Sequence, residues 1–267
     1  MRRRTHSATK YESRAEAPGN ARNVGLARRV GLARAISKLG YCSRSRAAEL
    51  IAAGRVRLND VVRRNAEAPV RLEQDKIEVD GREIRAAEKS YWMLNKPRGV
   101  VTTASDEKER ETIYDFMGER GGWLAPVGRL DKASEGLLLL TNDSEWAARV
   151  LDPGGHVTKT YHVQISALAE EALLQGLRRG VREGTDFLRV ERVHELRRGE
   201  RNSWLEIVLR EGKNRQIRRM LEALGVEVLR LVRVAIGALE LGDLAKGESR
   251  KLSAAEKAAV ESWKRTQ

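Results

Sequence analysis

The stretch VGRLDKASEGLLLLTND, residues 127–143, sets one carboxylate, Asp131, between Gly128 and Gly136 and then enters four consecutive leucines. An aspartate with a reference pKa of about 3.9 is ionised at neutral pH, and on burial it stays ionised only beside a cation. Arg129 and Lys132 flank it in the chain. The two glycines permit backbone conformations and close approaches that bulkier residues forbid, while Leu137 to Leu140 read as a buried strand that fixes the base of the loop. Asp131 is therefore either the reactive group of a rigid site or a loop aspartate satisfied by turn amides. Two further segments bear on that choice. VTKTYHVQI puts Tyr161 in an alternating strand, and REGKNRQIRRMLEALG puts Arg215, Arg218 and Arg219 in the first turns of a helix whose Ile217, Met220, Leu221 and Leu224 face a core. Cations at a helix start oppose the macrodipole, so three of them there imply an anion nearby: a phosphate, or a carboxylate such as Asp131.

The elements that must hold these groups alternate between helical and strand periodicity without a regular βα repeat. That pattern predicts an α+β fold with a mixed, largely antiparallel sheet flanked by helices. YWMLNKPRGVVTT reads as a strand, a Lys96-Pro97 break and a second strand, and residues 110–120 as a helix. Lys96 is expected either to shape a cleft or to meet a polyanion's backbone. The segment from Ser253 to Trp263 reads as a closing helix. Trp92, Trp123, Trp146, Trp204 and Trp263 read as core or domain-contact residues, since no aromatic cluster alternates with basic residues.

Ahead of this region, residues 32–84 form a compact pattern of their own. Leu32, Ile36 and Leu39 keep helical spacing up to Gly40; Ser43 or Ser45 can cap a second helix ending at Gly54; RVRL, the turn Asn59-Asp60 and KIEVDG supply short strands. Arg44, Arg46, Arg55, Arg57, Arg63 and Arg64 surround the second helix and the first hairpin. Residues 85–90 read as a linker and 91–267 as the second domain, while residues 1–31, basic and without apolar periodicity, read as a disordered tail.

The 267 residues allow one sizeable core plus a small module. With 51 Lys and Arg against 38 Asp and Glu, the net charge of +13 makes nucleic acid the first partner to consider. One cysteine, Cys42, excludes an intramolecular disulfide and a cysteine zinc site, and four scattered histidines offer no ligand spacing, so no metal is expected. No run approaches the roughly 20 apolar residues of a membrane helix, and no leader-like apolar segment opens the chain. A cytoplasmic protein that does not contact membrane is expected, as a monomer.

The wording of the segments is more specific than their composition. SRSRAAELIAAGRVRLND resembles the S4 RNA-binding domain, with Asp60 where that pattern usually has Gly; Asp tolerates the positive φ such a turn requires. LNKPRGVVTT, GRLDKASEGLLLLTND, KTYHVQI and REGKNRQIRRML, in that order behind such a module, resemble a pseudouridine synthase of the RsuA-like branch that modifies ribosomal RNA, over about residues 32–252. Ser134 stands where Thr is frequent in that family, Ser144 where Gly is frequent, and DPGGH replaces a usual His-Pro wording.

The resemblance implies isomerisation of a uridine in ribosomal RNA, with large-subunit RNA favoured over small-subunit RNA, on naked RNA or a pre-ribosomal subunit, without metal or organic cofactor. The N1–C1′ bond is cleaved, the uracil rotates, and C5 bonds to C1′. Asp131 matches the family's essential aspartate, acting as nucleophile or as the base that opens a glycal route. Arg218 matches the basic residue that pairs with it, and Tyr161 the tyrosine that packs on the flipped base. An aromatic face suits a base removed from its stack at a cost of a few kcal/mol. Arg44, Arg46, Arg55, Arg57, Lys96, Arg129, Lys132, Lys213, Arg215 and Arg219 are the candidate RNA contacts. The alternative is a non-catalytic RNA-binding assembly protein of the same fold. A methyltransferase or glycosylase is disfavoured because no glycine-rich cofactor loop or metal set appears.

Overall fold

The computed structural model describes residues 29–103, 110–118, 122–155 and 157–262. Residues 1–28 of the expected tail lie outside these, as does Trp263.

The N-terminal module runs β1 (Val30–Gly31), α1 (Leu32–Lys38), α2 (Arg44–Ala52), β2 (Val56–Leu58), β3 (Val61–Val62), β4 (Pro69–Val70), β5 (Ile77–Val79) and β6 (Arg82–Glu83). Its corners follow the sequence closely. Gly40 ends the first helix with φ +79°, and the Ser43 hydroxyl accepts from the Arg46 amide to cap the second. Asn59 and Asp60 both take positive φ, 50° and 64°, in the β2–β3 turn, so Asp60 does what the more usual glycine would. Leu32, Ile36, Leu50, Ile51, Val56, Ile77 and Val79 close a core belonging to this module alone.

The second region continues with β7 (Tyr91–Lys96), a single 3₁₀ turn (Ile113–Phe116), β8 (Ala125–Pro126), β9 (Glu135–Thr141), α3 (Ser144–Leu151), β10 (Lys159–Ile165), α4 (Glu171–Arg179), β11 (Val181–Glu183), β12 (Asp186–Leu188), β13 (Arg192–Arg198), β14 (Ser203–Leu209), α5 (Gln216–Ala223), β15 (Val228–Ile236), β16 (Leu239–Glu240), β17 (Ser249–Lys251) and α6 (Ala254–Ser262). Its main sheet is ordered β13-β14-β10-β15-β9-β7-β17. Every neighbouring pair along it is antiparallel except β15 with β9. The expected helix over 110–120 is only the 3₁₀ turn. The strand expected after Pro97 is also absent: Val101 makes one isolated bridge to Thr112, because this stretch spends its hydrogen bonds on the Asp131 loop.

β9 explains the run of leucines. All seven of its residues are buried. Leu137 and Leu139 pack with Trp146 and Val150 on one face, and Leu138 and Leu140 with Ile113, Leu124 and Leu130 on the other. A strand covered on both sides has no polar alternation to display. The parallel contact of β9 with β15 is very close: a Cβ added at Gly136, whose φ is +100°, would lie 2.2 Å from the Arg233 carbonyl oxygen. Gly136→Ala therefore strains the backbone and pushes two central strands apart. It should cost roughly 3 kcal/mol or more of stability, read as a drop in denaturation midpoint.

Between the two regions, the Asn142 side chain accepts from the Ser90 amide and donates to the Glu88 carbonyl, and the Ala87 amide donates to Leu39. The 85–90 segment is pinned at both ends. Among the described residues no helix is long and apolar enough to cross a membrane.

Candidate active site

The Asp131 loop enters β9 with its carbonyls engaged. Five consecutive carbonyls, from Leu130 to Ser134, each accept a hydrogen bond: Leu130 from the Thr102 hydroxyl, Asp131 from the Ser134 amide and the Lys96 ammonium, Lys132 from the Gly99 amide, Ala133 from Arg218, and Ser134 from Lys96. A loop so held has no freedom to re-aim its side chains. Lys96, at the end of β7, is 0% exposed and also donates to the Pro97 carbonyl. Burial pushes its ammonium down to about 8, against the pull of Asp131 and Glu135. This corrects the expectation of Lys96 as an RNA contact: enclosed by three carbonyls, it shapes the cleft and cannot reach a phosphate.

The Asp131 side chain is 37% exposed, at the mouth of a cleft of about 380 Å³. The cation nearest to it is Arg215, with Nη1 3.8 Å from Oδ2. Arg215 precedes α5 in the left-handed region, at φ 49°, an uncommon conformation for a residue with a side chain. Arg218 is placed differently from the pairing that the resemblance implied. Its guanidinium donates to the carbonyls of Ala133 and Val228, so it fixes the backbone beside the carboxylate. Burial and then Arg215 draw its pKa down, and Asp131 opposes them. Just beyond Asp131, burial would raise the Glu135 carboxyl, but bonds from Arg230 and Lys246 outweigh that and hold it below its usual range.

Tyr161 lines the same cleft and packs against the apolar clusters on both sides of it. Arg129 and Lys132 are exposed, Arg129 on the cleft wall. Arg219 is committed within the protein, which corrects the expectation of it as an RNA contact, whereas Lys213 is partly exposed on the cleft wall while also paired. Lys213 pairs with Asp186 and donates to Phe187, and Arg219 binds both Glu183 and Asp186, tying the β11–β12 hairpin to α5. Lys159 and Arg233 also line the cleft, and sequence reading missed them. Both sit in strands whose pairing partners are far away in the chain. Trp204 is not a core residue: it lies half-buried, with the guanidiniums of Arg197 and Arg230 at 4.9 and 5.7 Å from its ring centroid.

On the N-terminal module, Arg46 pairs with Glu49 and Arg55 grips Asp80 through two bonds of 2.7 and 2.6 Å. Among the described residues, Arg44 and Arg57 are exposed and form no ion pair.

Comparison with known proteins places this arrangement. The sequence matches the S4 domain over residues 30–77 and RNA pseudouridylate synthase over residues 90–223. It is 38% identical to ribosomal large subunit pseudouridine synthase B of Bacillus subtilis over 221 residues, covering 82% of this chain and 90% of that one. It is 38% identical over 181 residues to ribosomal large subunit pseudouridine synthase E of Vibrio vulnificus, covering 62% and 76%. A crystal structure of a pseudouridylate synthase superposes with a TM-score of 0.60 at 30% identity, covering 86% of this chain and 99% of that one. With the cleft, the clamped aspartate and the S4 module in one chain, the protein belongs to the RNA pseudouridylate synthases and carries an S4 domain ahead of its catalytic region.

Proposed function

We propose that this enzyme converts a uridine of large-subunit ribosomal RNA to pseudouridine, with Asp131 as the catalytic carboxylate. The observation that carries this reading is a half-exposed carboxylate on an immobilised loop, lining a cleft of about 380 Å³ together with Tyr161. That volume lies in the range of about 300–1,000 Å³ that small ligands occupy, and suits one nucleotide extruded from its stack. The uracil packs on Tyr161 while the carboxylate addresses the sugar, either bonding to C1′ or taking the C2′ proton. The N1–C1′ electron pair leaves with the base, the base turns, C5 bonds to C1′ as the carboxylate leaves C1′ or returns the C2′ proton, and the C5 proton is lost to solvent. Arg218 serves this by holding Ala133, two residues from the carboxylate, and Arg215 by keeping a positive charge beside it. The large-subunit target is supported by the two relatives named for that activity.

Release of tritium from ribosomal RNA labelled at uridine C5, followed by mapping of the product, tests the reading. Release from naked large-subunit RNA or its assembly intermediates is expected. No release by the wild-type protein from any of these would move the protein to the assembly-factor reading.

The exposed arginines of the S4 module give a second expected result. Replacing Arg44 and Arg57 together with Ala should weaken RNA binding and lower the slope of log K against log salt by about 2, one for each lost phosphate contact. The melting temperature should hardly move, since neither side chain has a partner to lose. An unchanged slope would place the RNA elsewhere.

A further inference from the structure

The catalytic cleft contains two cations, Lys159 and Arg233, whose donors the fold does not fully use. The regular pairing of β10 with β14 sets Lys159 opposite Leu209 and Tyr161 opposite Ile207, so Lys159 shares the face of Tyr161. Among the described residues, the Lys159 ammonium makes no hydrogen bond or ion pair. Arg233, on β15 opposite Tyr161, is 5% exposed; its Nε donates to the Leu137 carbonyl at 2.7 Å, and its Nη2 is buried without a partner. Both line the cleft that holds Asp131. Burial, and secondarily Arg233, push the Lys159 ammonium down to about 8. Elsewhere in this region comparable cations have partners: Arg219 has Glu183 and Asp186, Arg230 has Glu135, and Lys96 has three backbone carbonyls. Lys159 is half-buried and the Arg233 Nη2 fully buried; a desolvated cation without a counter-charge costs stability, so an anionic or strongly accepting ligand group is the missing partner.

Phosphates of RNA lie on the outside of the strand, where exposed Arg129 and Lys132 can meet them. What enters deepest is the flipped base, whose polar atoms are the carbonyl oxygens O2 and O4. Uracil is neutral when bound. As the N1–C1′ bond breaks, its electron pair stays on the base and spreads from N1 onto O2 and O4, while C1′ either gains a bond to the Asp131 oxygen or forms a double bond to C2′ after losing that proton. When C5 bonds to C1′ the pair is returned; the Asp131–C1′ bond breaks with its electrons going back to the carboxylate, or C2′ regains its proton as the double bond is lost, and the C5 proton departs to solvent.

We propose that Lys159 and Arg233 form the uracil-oxygen subsite of this cleft, holding the detached base as its anion. The inference rests on the pseudouridine synthase reading. Fixed donors aimed where charge develops lower the barrier without adding to ground-state binding, and they act most strongly in a site that excludes water. They also keep the free base from leaving the cleft before it turns.

The test uses Lys159, because Arg233 also holds a central strand through the Leu137 carbonyl. Single-turnover tritium release, RNA affinity against salt, and thermal melting are measured on the wild type, Lys159→Met and Lys159→Arg. Lys159→Met should slow turnover on the order of 10²-fold or more, with affinity within about threefold and an unchanged salt slope. Lys159→Arg should recover most of the rate. Melting of the Met variant should be unchanged or higher, since a half-buried charge without a partner among the described residues is gone. Weaker binding with a shallower salt slope and a near-normal rate would make Lys159 a phosphate contact and overturn the proposal. A fall in melting temperature that Arg cannot rescue would make it structural, with the same consequence. If the Met variant turned over like an active wild type, the subsite alone would fail; an inactive wild type would remove the reading beneath it.

Discussion

Asp131→Asn is expected to remove isomerisation while leaving a folded protein that still binds RNA. Asn keeps the shape of Asp and removes only the negative charge. The position of the loop depends on its carbonyls, held by Thr102, Gly99, Lys96 and Arg218, and these bonds do not involve the carboxylate. Its side-chain contact, with Arg215 at 3.8 Å, is half-exposed on both sides, and pairs of that kind contribute at most about 1 kcal/mol. Stability should thus change by roughly 0.5 kcal/mol. An amide is neither a nucleophile nor a base at the sugar, so kcat should fall on the order of 10⁴-fold or more. RNA affinity should hold or rise slightly, because a negative charge has left a cleft that receives a polyanion. The comparison is made by C5 tritium release beside filter or fluorescence binding. Parallel loss of binding and turnover would assign Asp131 to docking and sink its catalytic role.

Lys96→Met should have the largest combined effect. Met matches the length and volume of the aliphatic stem but leaves Pro97 and Ser134 with buried carbonyls that have lost their donor, while Asp131 retains the Ser134 amide. At about 1–3 kcal/mol for each orphaned group, the loss of stability is roughly 3–5 kcal/mol. The loop that aims Asp131 also loses its central tie, so activity should drop beyond what the unfolded fraction explains. The wild type offers a pH signature of the same contact. With its pKa near 8 in the fold and about 10.4 in the unfolded chain, Lys96 releases its proton earlier when folded. Between those values the unfolded chain binds more protons, so this residue makes stability rise with pH, by at most about 1.4 kcal/mol per pH unit. Below pH 8 that contribution is absent. Lys159 titrates in the same window with the same sign. Activity should run the other way, falling above pH 8 as the clamp loses one of its three donated protons. Chemical denaturation and single-turnover rates between pH 7 and 10 read the two slopes. A stability slope unchanged in Lys96→Met would show that the lysine is not the titrating group.

Local chemistry made much of this architecture readable in the chain. Gly40, Ser43 and Asn59-Asp60 announce their corners because a cap or a positive φ is decided by the residue itself and its near neighbours. The leucine run announced a doubly covered strand, and Asp131, Tyr161 and the start of α5 lie where their segments put them. What escaped was set by distance along the chain. Lys96 reads as either a cleft-shaping residue or a backbone contact, and only the approach of residues 131 and 134 shows it as a buried clamp. Lys213 and Arg219 read as phosphate ligands because nothing nearby in sequence reveals that the β11–β12 hairpin brings Glu183 and Asp186 to them. Arg215 and Arg218 exchanged roles for a conformational reason: a left-handed residue before the helix sends Arg215 toward the carboxylate, and the first turn sends Arg218 to the loop backbone. Lys159 and Arg233 meet in the cleft through strand pairing, which periodicity does not encode.

The donors that capture the five loop carbonyls come from three stretches of chain, residues 96–102, the loop's own Ser134, and α5. None of those stretches can part from the others without undoing the loop. The Asp131 loop is therefore expected in the most slowly exchanging part of the molecule, although active-site loops commonly belong to the part that opens first. Amide hydrogen exchange at Gly99 and Ser134 should track global unfolding, and heat should abolish activity and structure at the same temperature, with no inactive native-like intermediate between them.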